Sequence, residues 1–218
     1  MHIRLVEIFL LFGVDVLKNT ESEGNAEEIM KNPKTLRELL AGVSSGNPKT
    51  KFWSAKTLRT ISERKPEILY SEWKFFVDLL DSENNIVKWN AMDIIANLTK
   101  IDSRNKFDRL FKKFYGYLHE GSLITAGHVV DNSAKIALSK PHLQEAITKE
   151  LLKVEKIPLP TEECRNILIG KTINAFQAYH DKIKNKDEII PFVKRQSHNS
   201  RNATKTKAER FLKKLEEQ

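Results

Sequence analysis

Around Leu79 the arrangement of apolar and polar positions changes twice. An apolar helical run ends at Leu79-Leu80, the polar stretch Asp81-Ser82-Glu83-Asn84-Asn85 interrupts it, and an amphipathic run follows from Val87-Lys88 through Ala91 and Ile95 to Leu98. Upstream, Trp73, Phe76, Val77 and Leu80 recur at spacings of zero, three, four and seven, which is one face of a helix. The pattern predicts a helix, a short turn and a second helix.

The same pattern repeats. Shifted by 37 towards the N-terminus, the first-helix face falls on Leu36, Leu39, Leu40 and Val43, while Ile95 and Leu98 fall on Leu58 and Ile61. Shifted by 38 the other way, it falls on Phe111, Phe114, Tyr115 and Leu118, with the polar break now His119-Glu120-Gly121-Ser122. A shift of 78 carries Ile95 and Leu98 to Ile173 and Phe176; there Pro158 and Pro160 stop the first helix and Thr161 starts the second. A shift of 113 brings Phe76, Val77 and Leu80 onto Ile189, Ile190 and Val193. Steps of 35 to 40 residues lie in the range of stacked helical repeats.

Five helix pairs follow, over 33–64, 70–101, 105–139, 142–183 and 187–216, within a single repeat domain covering 1–218. Residues 1–30 are expected to be an atypical terminal cap: a leading helix and the polar linker 18–25. One helix pair cannot bury its apolar face alone, so stacking should join Trp73, Phe76, Phe111 and Phe114 into a continuous core. The plain alternative is an irregular helical bundle without a true repeat.

The unit Leu79–Leu98, with its two leucines, acid- and Asn-containing turn, β-branched residue before a base, and helically spaced Ala and Leu, resembles the HEAT-repeat family of helical solenoids, close to armadillo repeats. That resemblance implies an all-α fold, a right-handed alpha-alpha superhelix of about five helix pairs plus an N-terminal helix. It also implies a concave face lined by the second helix of each pair.

Composition agrees with a helical chain: 8 Gly and 7 Pro in 218 residues leave long helices uninterrupted. A lone cysteine, Cys164, can form neither an internal disulfide nor a thiolate metal site, so an intracellular, cytoplasmic chain is expected. The apolar run from Ile3 to Leu17 is broken by Arg4, Glu7 and Asp15 and falls short of the ~20 residues of a membrane span.

Catalytic motifs are sparse. His119-Glu120 is a lone His-Glu pair, whereas the HEAT-repeat oxygenases that use such pairs as iron ligands need several. His2, His128, His142, His180 and His198 show no metal-binding spacing. HEAT-like alkylpurine DNA glycosylases carry Trp, Asp and Arg on a concave face; Trp53, Arg59, Trp89, Asp93 and Asp131 are those residue types on second helices, but no motif matches residue by residue. Gly42, Gly46, Gly116 and Gly121 sit at predicted helix ends or turns and form no phosphate loop. No cofactor and no catalytic residue is therefore assigned, and the chain is expected not to be an enzyme.

Charge is more informative. The net charge is +8, and residues 182–214 alone hold eleven bases against three acids, so the whole excess lies in the last helix pair. Such a field attracts nucleic acid or an acidic protein; solvated cover on a terminal helix explains it as well. The candidate binding surface is Lys51, Arg59 and Lys88 on the concave side, with Arg195, Arg201, Lys205, Arg210 and Lys213 in the last pair. The leading expectation is a scaffold or adaptor whose concave face binds a protein partner. Nucleic-acid binding through the basic last pair is the alternative, and glycosylase activity near Trp89 and Asp131 a remote third.

Overall fold

A computed structural model of the chain describes residues 33–182 and 187–217. The expected leading helix and linker of residues 1–30 lie outside the described residues. Ten α-helices and no strand occur among those described. They are α1 (Pro33–Val43), α2 (Pro48–Arg64), α3 (Trp73–Leu79), α4 (Asn85–Leu98), α5 (Lys106–Gly116), α6 (Leu123–Ser139), α7 (Gln144–Leu152), α8 (Glu162–Tyr179), α9 (Ile189–Gln196) and α10 (Asn202–Glu216). Even-numbered helices are the second members of successive pairs.

Helices α2, α4, α6 and α8 start where the sequence offers an oxygen to their first free N–H groups. Asn47 Oδ1 accepts from Lys49 N at 2.9 Å ahead of α2. Asn84 caps Val87 N ahead of α4, Ser122 caps Thr125 N ahead of α6, and Thr161 caps Cys164 N ahead of α8. Each such cap is worth about 1 kcal/mol, and the four recur once per repeat. Before α10 the cap position is Arg201, which has no capping oxygen. Gly121, at φ 76°, adopts the left-handed backbone that the turn before α6 requires.

The chain divides into two compact units, Met1–Thr57 and Leu58–Gln218, and the boundary falls within α2. In the first unit, Leu39 and Val43 of α1 and Ala55 of α2 are buried. A Cβ on Gly42 would come within 2.2 Å of Ser54 Oγ, so glycine there is what lets α1 approach α2.

In the second unit α3 packs on α4 and α9 on α10, while α4, α6, α8 and α10 lie side by side as one layer. Phe76, Leu80, Phe107, Phe114, Leu151, Phe176 and Phe192 are fully buried between the two sets of helices. The expected aromatic column is only partly realised. Phe76 and Phe114 are in the core and Trp73 almost so, but Phe111 is half-buried on the shoulder of α5, its ring 4.6 Å from that of Tyr115. Phe107 takes the deep place instead, edge-on to Phe114 at 5.4 Å. The buried stripe of α5 is therefore Phe107, Leu110, Phe114 and Tyr115.

Polar side chains tie each pair to the next. Tyr117 donates to the Leu80 carbonyl at 3.0 Å, and Tyr70 donates to Asp102 at 2.6 Å. Buried, Tyr117 holds its proton more tightly than a free phenol, its pKa pushed up to about 12 by burial and then by Asp81 and Glu120.

Candidate functional site

The layer of second helices carries a polar cluster centred on Asp93 of α4, whose side chain is 14% exposed. Oδ1 accepts from His128 Nδ1 at 3.0 Å and from Asn132 Nδ2 at 2.7 Å, both on α6. Oδ2 accepts from Arg59 Nη1 of α2 at 3.3 Å. Burial alone would raise the Asp93 pKa, but the bonds from His128 and Asn132 and the charges of His128 and Arg59 outweigh it and hold the carboxyl below its ordinary value. With the carboxylate accepting, Nδ1 of His128 is the protonated nitrogen. The imidazole stacks on Trp89 with centroids 5.5 Å apart and planes 12° from parallel, and Trp89 Nε1 donates to Thr125 at 3.0 Å. Six side chains from three helices thus fix one another's orientation.

Towards the C-terminal ends of these helices a second polar chain crosses the layer. Lys135 donates to Asn97 Oδ1 at 2.9 Å, and Asn97 donates to Ser62 Oγ, also at 2.9 Å. These residues, with Glu63, Lys100 and Leu138, line a shallow groove. Towards α10 the charges change sign. Lys171 of α8 bonds Asp131 of α6 at 2.5 Å, Arg201 bonds Glu163 at 2.8 Å, and Lys207 of α10 reaches the carbonyl of Gly170 at 3.3 Å.

Apolar groups complete the surface. Among the described residues, the large hydrophobic side chains left exposed are Ile86 on α4 (41%) and Ile124 and Leu138 on α6 (55% and 39%). Ile86 and Ile124 stand at the same place in their helices, two residues after the cap.

The candidate binding residues fall into three groups. Arg59 belongs to the Asp93 cluster, and Lys88 lies 3.5 Å from Glu120 with its ammonium over the Tyr117 ring. Lys51 is in the first turn of α2, in the Met1–Thr57 unit. In the last pair, Arg195 forks onto Glu155, Arg201 makes a single bond through Nε to Glu163, and Lys205 and Lys213 approach Glu209 and Glu217 at 3.9 Å. Arg210 is exposed on α10. Four of the five candidate bases of the last pair thus face an acid one repeat earlier or one helical turn away.

Of the residue types that invited the glycosylase comparison, Arg59, Trp89 and Asp93 share the cluster, Asp131 is the exposed partner of Lys171, and Trp53 lies in the other unit. His119 is exposed in its turn, and Cys164 is half-buried with its N–H on Thr161. No group of three or more His, Cys, Asp or Glu side chains able to hold a metal ion occurs among the described residues. No helix among them is long and apolar enough to cross a membrane.

Sequence reasoning missed His128, Asn132, Lys171 and Lys207. A signal existed for one of these: Asn132 falls on the apolar face of α6 marked by Val129 and Ile136, and a buried polar side chain needs a partner.

No family model matches the chain, and no curated protein matches it. Among solved structures the chain is similar to an engineered protein, with 15% identity, a TM-score of 0.50, and coverage of 94% of this chain and 95% of that one. It is also similar to a designed armadillo repeat protein, with 15% identity, a TM-score of 0.36, and coverage of 82% of this chain and 98% of that one. At such identity the first likeness concerns fold alone, and the second adds no weight. The class defined by the helix order and that likeness is an all-α helical-repeat solenoid.

Proposed function

We propose that this solenoid is a single-domain, non-enzymatic, HEAT-like scaffold that works inside the cell and binds a protein partner across its layer of second helices. The observation that carries this reading is the position of the exposed large apolar side chains, Ile86, Ile124 and Leu138, on α4 and α6, the helices that also hold the Trp89–His128 stack. An apolar and aromatic centre with a charged rim is the anatomy of a protein interface. A photo-cross-linker at position 124 should capture one discrete protein at physiological salt. Ile86→Asp should abolish that capture without lowering the melting temperature. Absence of any cross-linked partner, together with turnover of any substrate class, refutes the proposal; base release from alkylated DNA is the first activity to assay.

Nucleic acid is the competing occupant. Most candidate bases of the last pair already face a carboxylate, which argues for solvated cover and inter-repeat ties. Changing Arg201, Lys205 and Arg210 together to Glu should leave DNA affinity unchanged at physiological salt. A steeply salt-dependent affinity that the triple change abolishes would favour nucleic acid instead.

A further inference from the structure

Where α8 meets α10, among the described residues, three neighbouring cations share two carboxylates. Lys171 is matched by Asp131 and Arg201 by Glu163, but the ammonium of Lys207 is held only by the carbonyl of Gly170. Both lysines lie flat over a glycine in the middle of a neighbouring helix. A Cβ on Gly127 would touch Lys171 Cε at 3.5 Å, and a Cβ on Gly170 would touch Lys207 Cδ and Nζ at 3.6 Å. Mid-helix glycine costs about 1 kcal/mol relative to alanine; here it opens a floor of bare backbone on which the amino groups rest. Burial, then the positive charges of Arg201 and Lys171, make Lys207 a weaker base than a free lysine, with Asp131 opposing only in part. Three cations and two carboxylates leave one positive charge unmatched.

We propose that Lys207, with Lys171 and Arg201 beside it, is a seat for a single carboxylate, the Asp or Glu side chain of the protein partner that binds this layer. This rests on the protein-partner reading and specifies the partner's chemistry. One unmatched charge suits one anionic group. A nucleic-acid backbone would bring a row of phosphates against Asp93, Asp131 and Glu163 on the same layer, and those carboxylates repel it. The occupant also has something to hold it in place: Ile124 and the Trp89–His128 stack stand on α6 and α4, so a segment with apolar residues followed by an acid matches the surface along its length.

The test uses the full chain and a probe that needs no partner. N-acetyl-glutamate amide, titrated into isotopically labelled protein, should give saturable shifts of the Gly170 and Thr204 amides, and N-acetyl-glutamine amide should not. Lys207→Gln should weaken the glutamate probe at least about tenfold, as loss of a charge-assisted bond implies. Lys207→Arg should keep the binding, which guards against a folding defect in the first variant. Ile124→Asp should leave the seat intact, so a failed seat and a failed docking face remain distinguishable. Shifts shared by the glutamine probe, shifts unchanged in Lys207→Gln, or displacement of the glutamate probe by a single-stranded DNA oligonucleotide would each overturn the proposal.

Discussion

Asp102 and Lys140 form the most deeply buried ion pair among the described residues, and they position α6, the helix that carries His128 and Ile124. Their side chains are 0% and 5% exposed and meet at 3.1 Å. Asp102 also accepts from the Tyr70 hydroxyl at 2.6 Å and from the amides of Lys106 and Phe107 at 3.0 Å, so it caps α5. Lys140, just past α6, donates to the Asp102 carbonyl and to Asn105 Oδ1. Asp102→Ala removes the counter-charge and leaves an ammonium buried against two neutral oxygens. Orphaning one member of a buried pair costs about 3–5 kcal/mol, and the lost cap adds about 1 kcal/mol. In a chain of this size the melting temperature should fall by roughly 2–4 °C per kcal/mol, hence by about 8–24 °C. Lys140→Met is milder, because three other donors still satisfy Asp102. The double variant Asp102→Ala/Lys140→Met should be no worse than Asp102→Ala alone, because the orphan charge has gone. Burial by itself would raise the Asp102 pKa, but the bonds from Tyr70, the Phe107 and Lys106 amides and Lys140 hold it below the ordinary value. The folded carboxyl thus releases its proton more readily than the unfolded one. Its stabilisation is complete above the ordinary pKa of about 3.9 and is lost as pH falls through the folded value. Urea unfolding followed by circular dichroism measures each variant. A cost under about 1.5 kcal/mol for Asp102→Ala, or single costs that simply add in the double variant, would refute this account.

Three further outcomes follow from the same geometry. Gly170→Ala would place a Cβ 2.7 Å from Thr204 Oγ1, whose hydroxyl is buried and bonded to the Asn166 carbonyl, so overpacking of about 1–3 kcal/mol should outweigh the gain in helix propensity; Gly127→Ala, with ordinary contacts, should stabilise by about 0.5–1 kcal/mol, and thermal melts of the pair decide. Asp93→Asn should cost about 1–2 kcal/mol near neutrality. Because the Asp93 carboxyl is held below its ordinary pKa, that cost should vanish as pH falls below the folded value, which denaturation of both proteins across an acid series would show. Arg195→Ala removes a forked but 57% exposed pair with Glu155 and should cost under about 1 kcal/mol, a difference that 1 M salt erases in the same assay.

How much of this was legible along the chain depends on the distance between partners. The apolar faces were, because residues three and four apart share a helix face, and the expected pair boundaries rest on such local spacing. Phe114, Tyr115 and Leu118 are buried as their spacing implies, whereas Phe107 lies one helical turn before Phe111, where the counted register began. The polar cluster was hidden for a stronger reason: Arg59 and Asp93, Asp93 and His128, and Asp131 and Lys171 stand 34, 35 and 40 residues apart, one repeat each. The same distance explains the charge of the last pair, where Arg195 and Arg201 meet Glu155 and Glu163, 40 and 38 residues upstream, beyond any window that counts charge locally.

In a stack, the neighbour that sets a residue's field is the residue one repeat away, so charge has to be read across repeats. Read so, one position on the layer of second helices runs Asp93, Asp131, Lys171, Lys207, two acids followed by two bases from α4 to α10. Equivalent places do not imply equivalent roles: Asp93 is enclosed by His128, Asn132 and Arg59, whereas Asp131 is 54% exposed against Lys171. Lys207 bonds the Gly170 carbonyl. A charge gradient of this kind gives a bound segment a direction, acid towards α10 and base towards α4, and a scaffold that binds by apolar contact alone would have no such preference. Reversing the order of acidic and basic residues in a cross-linked partner peptide should therefore weaken capture at position 124, while exchanging its apolar residues for others of like size should not.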